Sequence, residues 1–163
     1  MLHAEEQYLQ FYCGSFALLL PLNSMTEIAF YNDELCAPTG NSLLHHGKTT
    51  AWRDTVLPYI DLRLALHLPR NCLEKPENIL VLCDANNQQP IALAAIDAIV
   101  GFVRPPAGAW YHANGINNEI DVFFERLYWE KQHDTIAMCL RHPKQWLHNA
   151  IATPVENGIL HAH

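Results

Sequence analysis

Short apolar runs broken by Gly, Asn, Asp and Pro dominate this chain, and their lengths suit strands better than helices. Tyr8-Leu9-Gln10-Phe11-Tyr12-Cys13 predicts a first strand, Gly14-Ser15 a tight turn, and Phe16 to Leu20 the strand that returns. A short helix is predicted next. Ser24 can cap it, Glu27 completes a capping box, and Met25 and Ile28 supply its apolar face. Residues 31–50 are polar and irregular and read as a long loop. Strand character returns at Trp52 and again from Val56 to Ile60. Pro58 has no amide hydrogen, which places it at an edge or beside a bulge. Asp61 then reads as a helix N-cap. Leu62, Ala65 and Leu66 recur at helical spacing until Pro69 stops the helix.

The second half repeats this order. Glu77 to Cys83 is a strand, Asp84 to Gln89 a turn, and Ile91 to Ala95 the returning strand. Asp97-Ala98-Ile99-Val100-Gly101 leads away from it, and Pro105-Pro106 lies in a loop. Leu127 to Glu130 and Thr135 to Leu140 predict a hairpin across Lys131 to Asp134. Pro143 starts a short helix that Trp146 and Leu147 pack down. Strand, tight turn, strand, then a later strand running into a short helix occurs twice. Two stacked copies of one small β unit account for that. The fold class is therefore mostly β, with short helices.

The chain has 163 residues, room for one domain or for two small halves sharing a core. Ten Lys and Arg stand against seventeen Asp and Glu, a formal charge of -7, and no window gathers the basic residues. A chain of that charge repels phosphate backbones, so nucleic acid is not an expected partner. Met1 to Glu6 has neither a positive start nor an apolar run, and Phe16 to Leu22 is too short to cross a bilayer. The expectation is a cytoplasmic protein without membrane insertion.

Five cysteines, Cys13, Cys36, Cys72, Cys83 and Cys139, are widely spaced with no C-x-x-C pair, and read as inert, mostly buried thiols. Ten histidines include the adjacent His45 and His46 and the tail pair His161 and His163, none at a recognised metal-ligand spacing. Ser15, Ser24 and Ser42 lack a glycine elbow, and the glycines are too scattered for a phosphate loop. No catalytic residue, cofactor site or metal site is assigned, and the expectation is a protein that is not an enzyme. A small β-barrel enzyme and a binding module of an unrelated pathway are the alternatives. A deep polar pocket would favour the enzyme; a shallow apolar groove would favour binding.

The order of segments, and one motif above all, resembles the CheW-like domain, the adaptor of bacterial chemosensory arrays. The motif is Gly47, then Arg53-Asp54, then Leu57-Pro58-Tyr59-Ile60-Asp61-Leu62-Arg63. Tyr8 to Ile28 matches the opening of the family, and Ile91-Ala92-Leu93 with Asp97 its second half. The resemblance spans roughly residues 7 to 147. Asp54 and Ala92 stand where the family has glycines, Arg141 where it often has an aspartate, and Pro105 to Glu125 has no clear family equivalent.

The resemblance implies two small five-stranded β-barrels side by side in a single domain over residues 1–163. The first spans 7–70 plus exchanged elements and the second 77–147, with a tail over 148–163. It implies an adaptor without catalysis or cofactor. Its expected partners are the regulatory domain of a CheA-like histidine kinase, facing the first barrel, and the cytoplasmic tip of chemoreceptors, facing the groove between barrels. Arg53, with Trp52 and Asp54 beside it, is the expected partner-binding corner, since a guanidinium can hold a partner carboxylate with paired bonds. The competing reading of Arg53 is a solvated or intramolecular arginine. Asp61 is the structural cap. The aromatic residues Trp110, Tyr111, Phe123, Phe124, Tyr128 and Trp129 read either as core or as a protein-binding surface.

Overall fold

The computed structural model describes residues 6–32, 48–68, 75–112 and 121–151. It is mostly β. The strands are β1 (Tyr8–Cys13), β2 (Phe16–Pro21), β3 (Met25–Phe30), β4 (Lys48–Trp52), β5 (Thr55–Asp61), β6 (Asn78–Cys83), β7 (Pro90–Ile96), β8 (Ile99–Val103), β9 (Trp110–His112), β10 (Phe124–Glu130) and β11 (Thr135–Leu140). One helical turn, α1 (Leu62–Ala65), follows β5.

The strands form a six-stranded sheet, ordered β8-β1-β2-β11-β10-β9, and a five-stranded sheet, ordered β3-β6-β7-β5-β4. The β1–β2 hairpin lies between β8 and β11, both from the second half. The β6–β7 hairpin lies between β3 and β5, both from the first. The halves have thus exchanged hairpins. Strand for strand, β8-β1-β2-β11-β10 has the topology of β3-β6-β7-β5-β4, and the parallel contacts β2–β11 and β5–β7 fall at the same place. Even the bulges correspond, at Gln10/Phe11 against β8 and at Met25/Glu27 in β3. The repeat read from the sequence is a repeat of topology. β9 is the extra strand, at the end of the six-stranded sheet.

Burial explains the composition of each strand. β1, β2, β6 and β7 are inner strands covered on both faces, so they are nearly continuous apolar runs. β3 and β8 are end strands and alternate between covered and exposed positions. The main core lies between the sheets, where Leu9, Phe11, Leu18 and Leu20 of one meet Ile60, Leu80, Ala94 and Ile96 of the other. Two further clusters fill the concave sides: Tyr8, Ala17, Leu19, Tyr128 and Cys139 in the six-stranded sheet, and Trp52, Leu57, Ile79, Val81 and Leu93 in the five-stranded one.

The sheets curl, but their backbone ladders do not close into the expected barrels among the described residues. Side chains span the gaps. Arg53, at the tip of β4, donates from Nη2 to Glu27 Oε1 on β3 at 2.8 Å, linking the two end strands of the five-stranded sheet. In the other sheet Trp110 on β9 meets Tyr8 on β1 edge-on, with centroids 5.3 Å apart. The Arg126 guanidinium lies 3.8 Å from the Trp110 ring centre and donates to Tyr8 Oη at 2.7 Å.

Four local expectations need correction. The helix predicted after Ser24 is strand β3, preceded by a 3-10 turn at Leu22–Ser24; edge pairing with β6 overrides the capping-box signal. The buried Ser24 hydroxyl instead bonds His142 Nδ1 at 2.8 Å. The helix after Asp61 is a single turn and ends before Pro69. His67, with φ of 55°, donates to Leu64 O, and Leu68 N donates to Arg63 O at 2.9 Å, a Schellman ending with His in the left-handed position. Pro58 lies in an inner strand, opposite Thr49 on one side and one residue before the β7 ladder begins at Tyr59 on the other. The loop of residues 31–50 gives up Lys48 to Thr50 to β4. Its remainder over 33–47, with His45 and His46, lies outside the described residues, as do Cys36, Cys72 and the tail beyond 151.

Candidate partner-binding site

The β4–β5 hairpin carries the expected corner. Trp52 pairs with Thr55, leaving Arg53 and Asp54 as a two-residue turn. Arg53 takes the left-handed backbone, with φ of 53°, whereas Asp54 does not. Asp54, where the family has glycine, therefore sits in a conformation open to any residue, and the conformational burden falls on Arg53. Trp52 is buried in the concave side of its sheet, so its own ring is not presented to a partner. It backs Arg53, whose guanidinium lies 5.1 Å from the ring centre. Arg53 is 68% exposed and its bond to Glu27 spans the sheet gap. The arginine is thus held in one place from two sides while its remaining donors face solvent. Asp54 is exposed and does not pair with Arg53 in the described ion pairs.

At the other end of β5, Asp61 caps α1 by accepting from Arg63 N at 3.0 Å. The Arg63 side chain folds back into the molecule and is only 4% exposed. Its Nε is 3.4 Å from Asp61 Oδ1, and Nη1 is 3.6 Å from Asp97 Oδ1. Burial alone would favour the neutral guanidine. The carboxylates of Asp61 and Asp97 outweigh it and hold the Arg63 pKa above its ordinary value. Asp97 belongs to the β7–β8 turn, and its backbone receives Asn78 Nδ2 and donates to Tyr12 O. One buried guanidinium therefore ties the first half of the chain to the second.

Each end strand, β3 in one sheet and β8 in the other, carries exposed apolar side chains. Ile28 on β3 lies opposite Leu80, and Phe102 on β8 opposite Leu9, both of the main core. Residues opposite one another share a face, so both side chains extend the inter-sheet core to where it is uncovered. Phe30, 84% exposed, follows Ile28 on β3, and Val100, 52% exposed, precedes Phe102 on β8. Isolated exposed apolar residues are ordinary, but each of the two equivalent end strands carries a pair of them, which suits an edge to contact with a partner.

The aromatic group divides. Phe123 and Phe124 are core, with Phe123 against the fully buried Trp146 at 5.6 Å. Trp110 and Tyr128 line the concave side of the six-stranded sheet, and Tyr111 and Trp129 face outward. Sequence reading brought Arg53, Trp52 and Asp61 to one hairpin and its end. It missed Glu27 as the partner of Arg53, and it missed Arg63–Asp97. The signal for the latter was an arginine two residues after a capping aspartate on an otherwise apolar turn. Among the described residues, no three of His, Cys, Asp and Glu converge as metal ligands, and no helix is long and apolar enough to cross a membrane.

A search of curated proteins finds no match. The fold is similar to that of the scaffolding protein TtCheW from Thermoanaerobacter tengcongensis, with a TM-score of 0.67 at 13% identity over 85% of this chain and 90% of that one. The sequence matches the model of the CheW-like domain over residues 7–117. The chain belongs to the CheW-like domain family.

Proposed function

We propose that this protein is a non-enzymatic adaptor of a chemosensory pathway, joining the regulatory domain of a CheA-like histidine kinase to the cytoplasmic tip of chemoreceptors. Membership of the family and the fold shared with a scaffolding protein support the class. The observation that carries the site is the exposed apolar pair on each end strand, Ile28 with Phe30 on β3 and Val100 with Phe102 on β8. It offers contact area for a receptor tip. Arg53 and Asp54 offer the polar contact at the hairpin, where the guanidinium would exchange Glu27 for a partner carboxylate. The protein works by holding two partners together, and no bond is made or broken.

The test is capture of the tagged protein's partners from its native cells, identified by mass spectrometry. Recovery of a histidine kinase and chemoreceptors supports the reading. Recovery of unrelated metabolic enzymes, with no chemosensory protein, overturns it. Purified kinase regulatory domain and receptor tip, titrated separately, then assign each surface: Phe30→Ser with Phe102→Ser should lower receptor affinity more than kinase affinity.

A further inference from the structure

A second groove lies away from the hairpin, where β10 outruns β9. The β9 ladder covers β10 only from Arg126 to Tyr128, yet β10 continues to Glu130. Beside this uncovered edge the chain makes the 3-10 turn Ala107–Ala109. Pro106 and Gly108 from the turn, with Tyr128, Trp129 and Lys131 from β10 and its hairpin, enclose about 380 Å³. That volume lies within the range of small-ligand clefts and holds one large side chain with its flanking backbone.

The charges around the groove are unequally committed. Glu130 accepts from Gln132 N, His133 N and the His133 ring, the last at 2.6 Å. Asp134 accepts from Trp129 Nε1 at 3.0 Å. Both carboxylates of the turn are therefore engaged within it. Lys131 lies over the Trp129 ring, its Nζ 5.5 Å from the centre, and no carboxylate among the described residues pairs with it. The charge offered to an occupant is positive, and the strand edge offers backbone partners to an extended chain.

We propose that this groove binds an extended peptide segment of a partner protein in which an apolar side chain is followed within two residues by Asp or Glu. The apolar side chain lies between Pro106 and Trp129, and the carboxylate meets Lys131. The groove shares no residue with the Arg53 hairpin or with the exposed apolar residues of β3 and β8, so the site is distinct from the kinase and receptor surfaces proposed above.

The test uses the full chain and three labelled hexapeptide libraries. Each carries one Leu, Phe or Trp followed by Asp, by Asn, or by Lys, and binding is read by fluorescence anisotropy. The Asp library should bind at least fivefold more tightly than the Asn library, and the Lys library most weakly. Gly108→Leu should lower affinity for the Asp library at least tenfold with an unchanged melting temperature. Gly108 lines the groove and a Cβ there meets nothing within 4 Å, so a leucine at its rim displaces no neighbour. Lys131→Glu, on an exposed turn, should reverse the order of the libraries and keeps the test decisive if Gly108→Leu misfolds. Equal binding of the Asp and Asn libraries overturns the proposal. So does wild-type affinity in a folded Gly108→Leu, or a homodimer in sedimentation that Gly108→Leu dissolves.

Discussion

Arg53 lies in the turn before β5 and Asp61 at its end, and substitutions at the two separate the recognition role proposed for Arg53 from stability. Arg53→Ala removes an exposed ion pair with Glu27, a contact worth about 0.2–1 kcal/mol. The melting temperature should barely move, whereas affinity for the kinase or receptor partner should fall at least tenfold, because a desolvated arginine at an interface is worth about 2 kcal/mol or more. Asp61→Ala should lower stability by about 3 kcal/mol or more, since it removes the cap and one carboxylate of the buried Arg63 pair, and leave affinity nearly unchanged. Thermal unfolding and partner titration of both variants check this. An Arg53→Ala protein that melts early and binds normally assigns the arginine to the sheet gap alone. The cap was legible in the sequence because donor and acceptor lie two residues apart; the Arg53–Glu27 pair was not, because it depends on how far the sheet curls.

The buried thiols give a pH prediction at the same scale. Burial, with Glu125 nearby, pushes the Cys139 thiol up to about 12, and burial also raises Cys13. An unfolded thiol loses its proton near pH 8.5. Above that pH the unfolded chain binds fewer protons than the native one. Stability that is complete below about pH 8.5 is therefore lost as pH rises towards 12, at about 1.4 kcal/mol per unit for each such thiol. Urea unfolding between about pH 8 and 10.5 should show this fall, and Cys139→Ala should make it shallower. An unchanged slope in that variant rules Cys139 out as a source.

At the scale of elements, α1 shows how little helix suffices when both ends are fixed. Asp61 holds its start, His67 its end, and Arg63 anchors it to Asp97 across the chain. Arg63→Ala leaves two carboxylates facing a hole, and removing one partner of a buried ion pair costs about 3–5 kcal/mol. His67→Gly relieves the left-handed backbone of a side chain and should stabilise by about 0.5–1 kcal/mol. Denaturant midpoints for both variants check the opposite signs. Ser24 shows where local signals mislead. Its capping-box spacing to Glu27 is genuine in the sequence, yet β6 offers β3 a full ladder, and tertiary pairing outweighs a preference worth about 1 kcal/mol. In contrast, the inner strands were legible because burial on both faces leaves continuous apolar runs that nothing else in a short chain explains.

At the scale of the whole molecule, the repeat was visible in the order of segments, but the exchange of hairpins was not, since periodicity is silent about which copy a hairpin joins. The exchange makes the two halves interdependent. A cut between residues 70 and 75 would sever the ladders β1–β8, β2–β11, β3–β6 and β5–β7 together. Among the described residues the first fragment would keep only the hairpins β1–β2 and β4–β5, and an isolated hairpin is marginal in water at best. We therefore expect residues 1–70 and 75–163, expressed separately, to be unfolded by near-ultraviolet circular dichroism and amide dispersion. Mixed at equal concentration, they should recover the spectrum of the intact chain, because every severed ladder can re-form between fragments. The recovery should depend on concentration and should fail with Arg63→Ala in the first fragment, which removes the buried tie to Asp97. A first fragment that folds alone would mean that its strands find closure without the second half, and the exchanged topology would then not be what stabilises the domain.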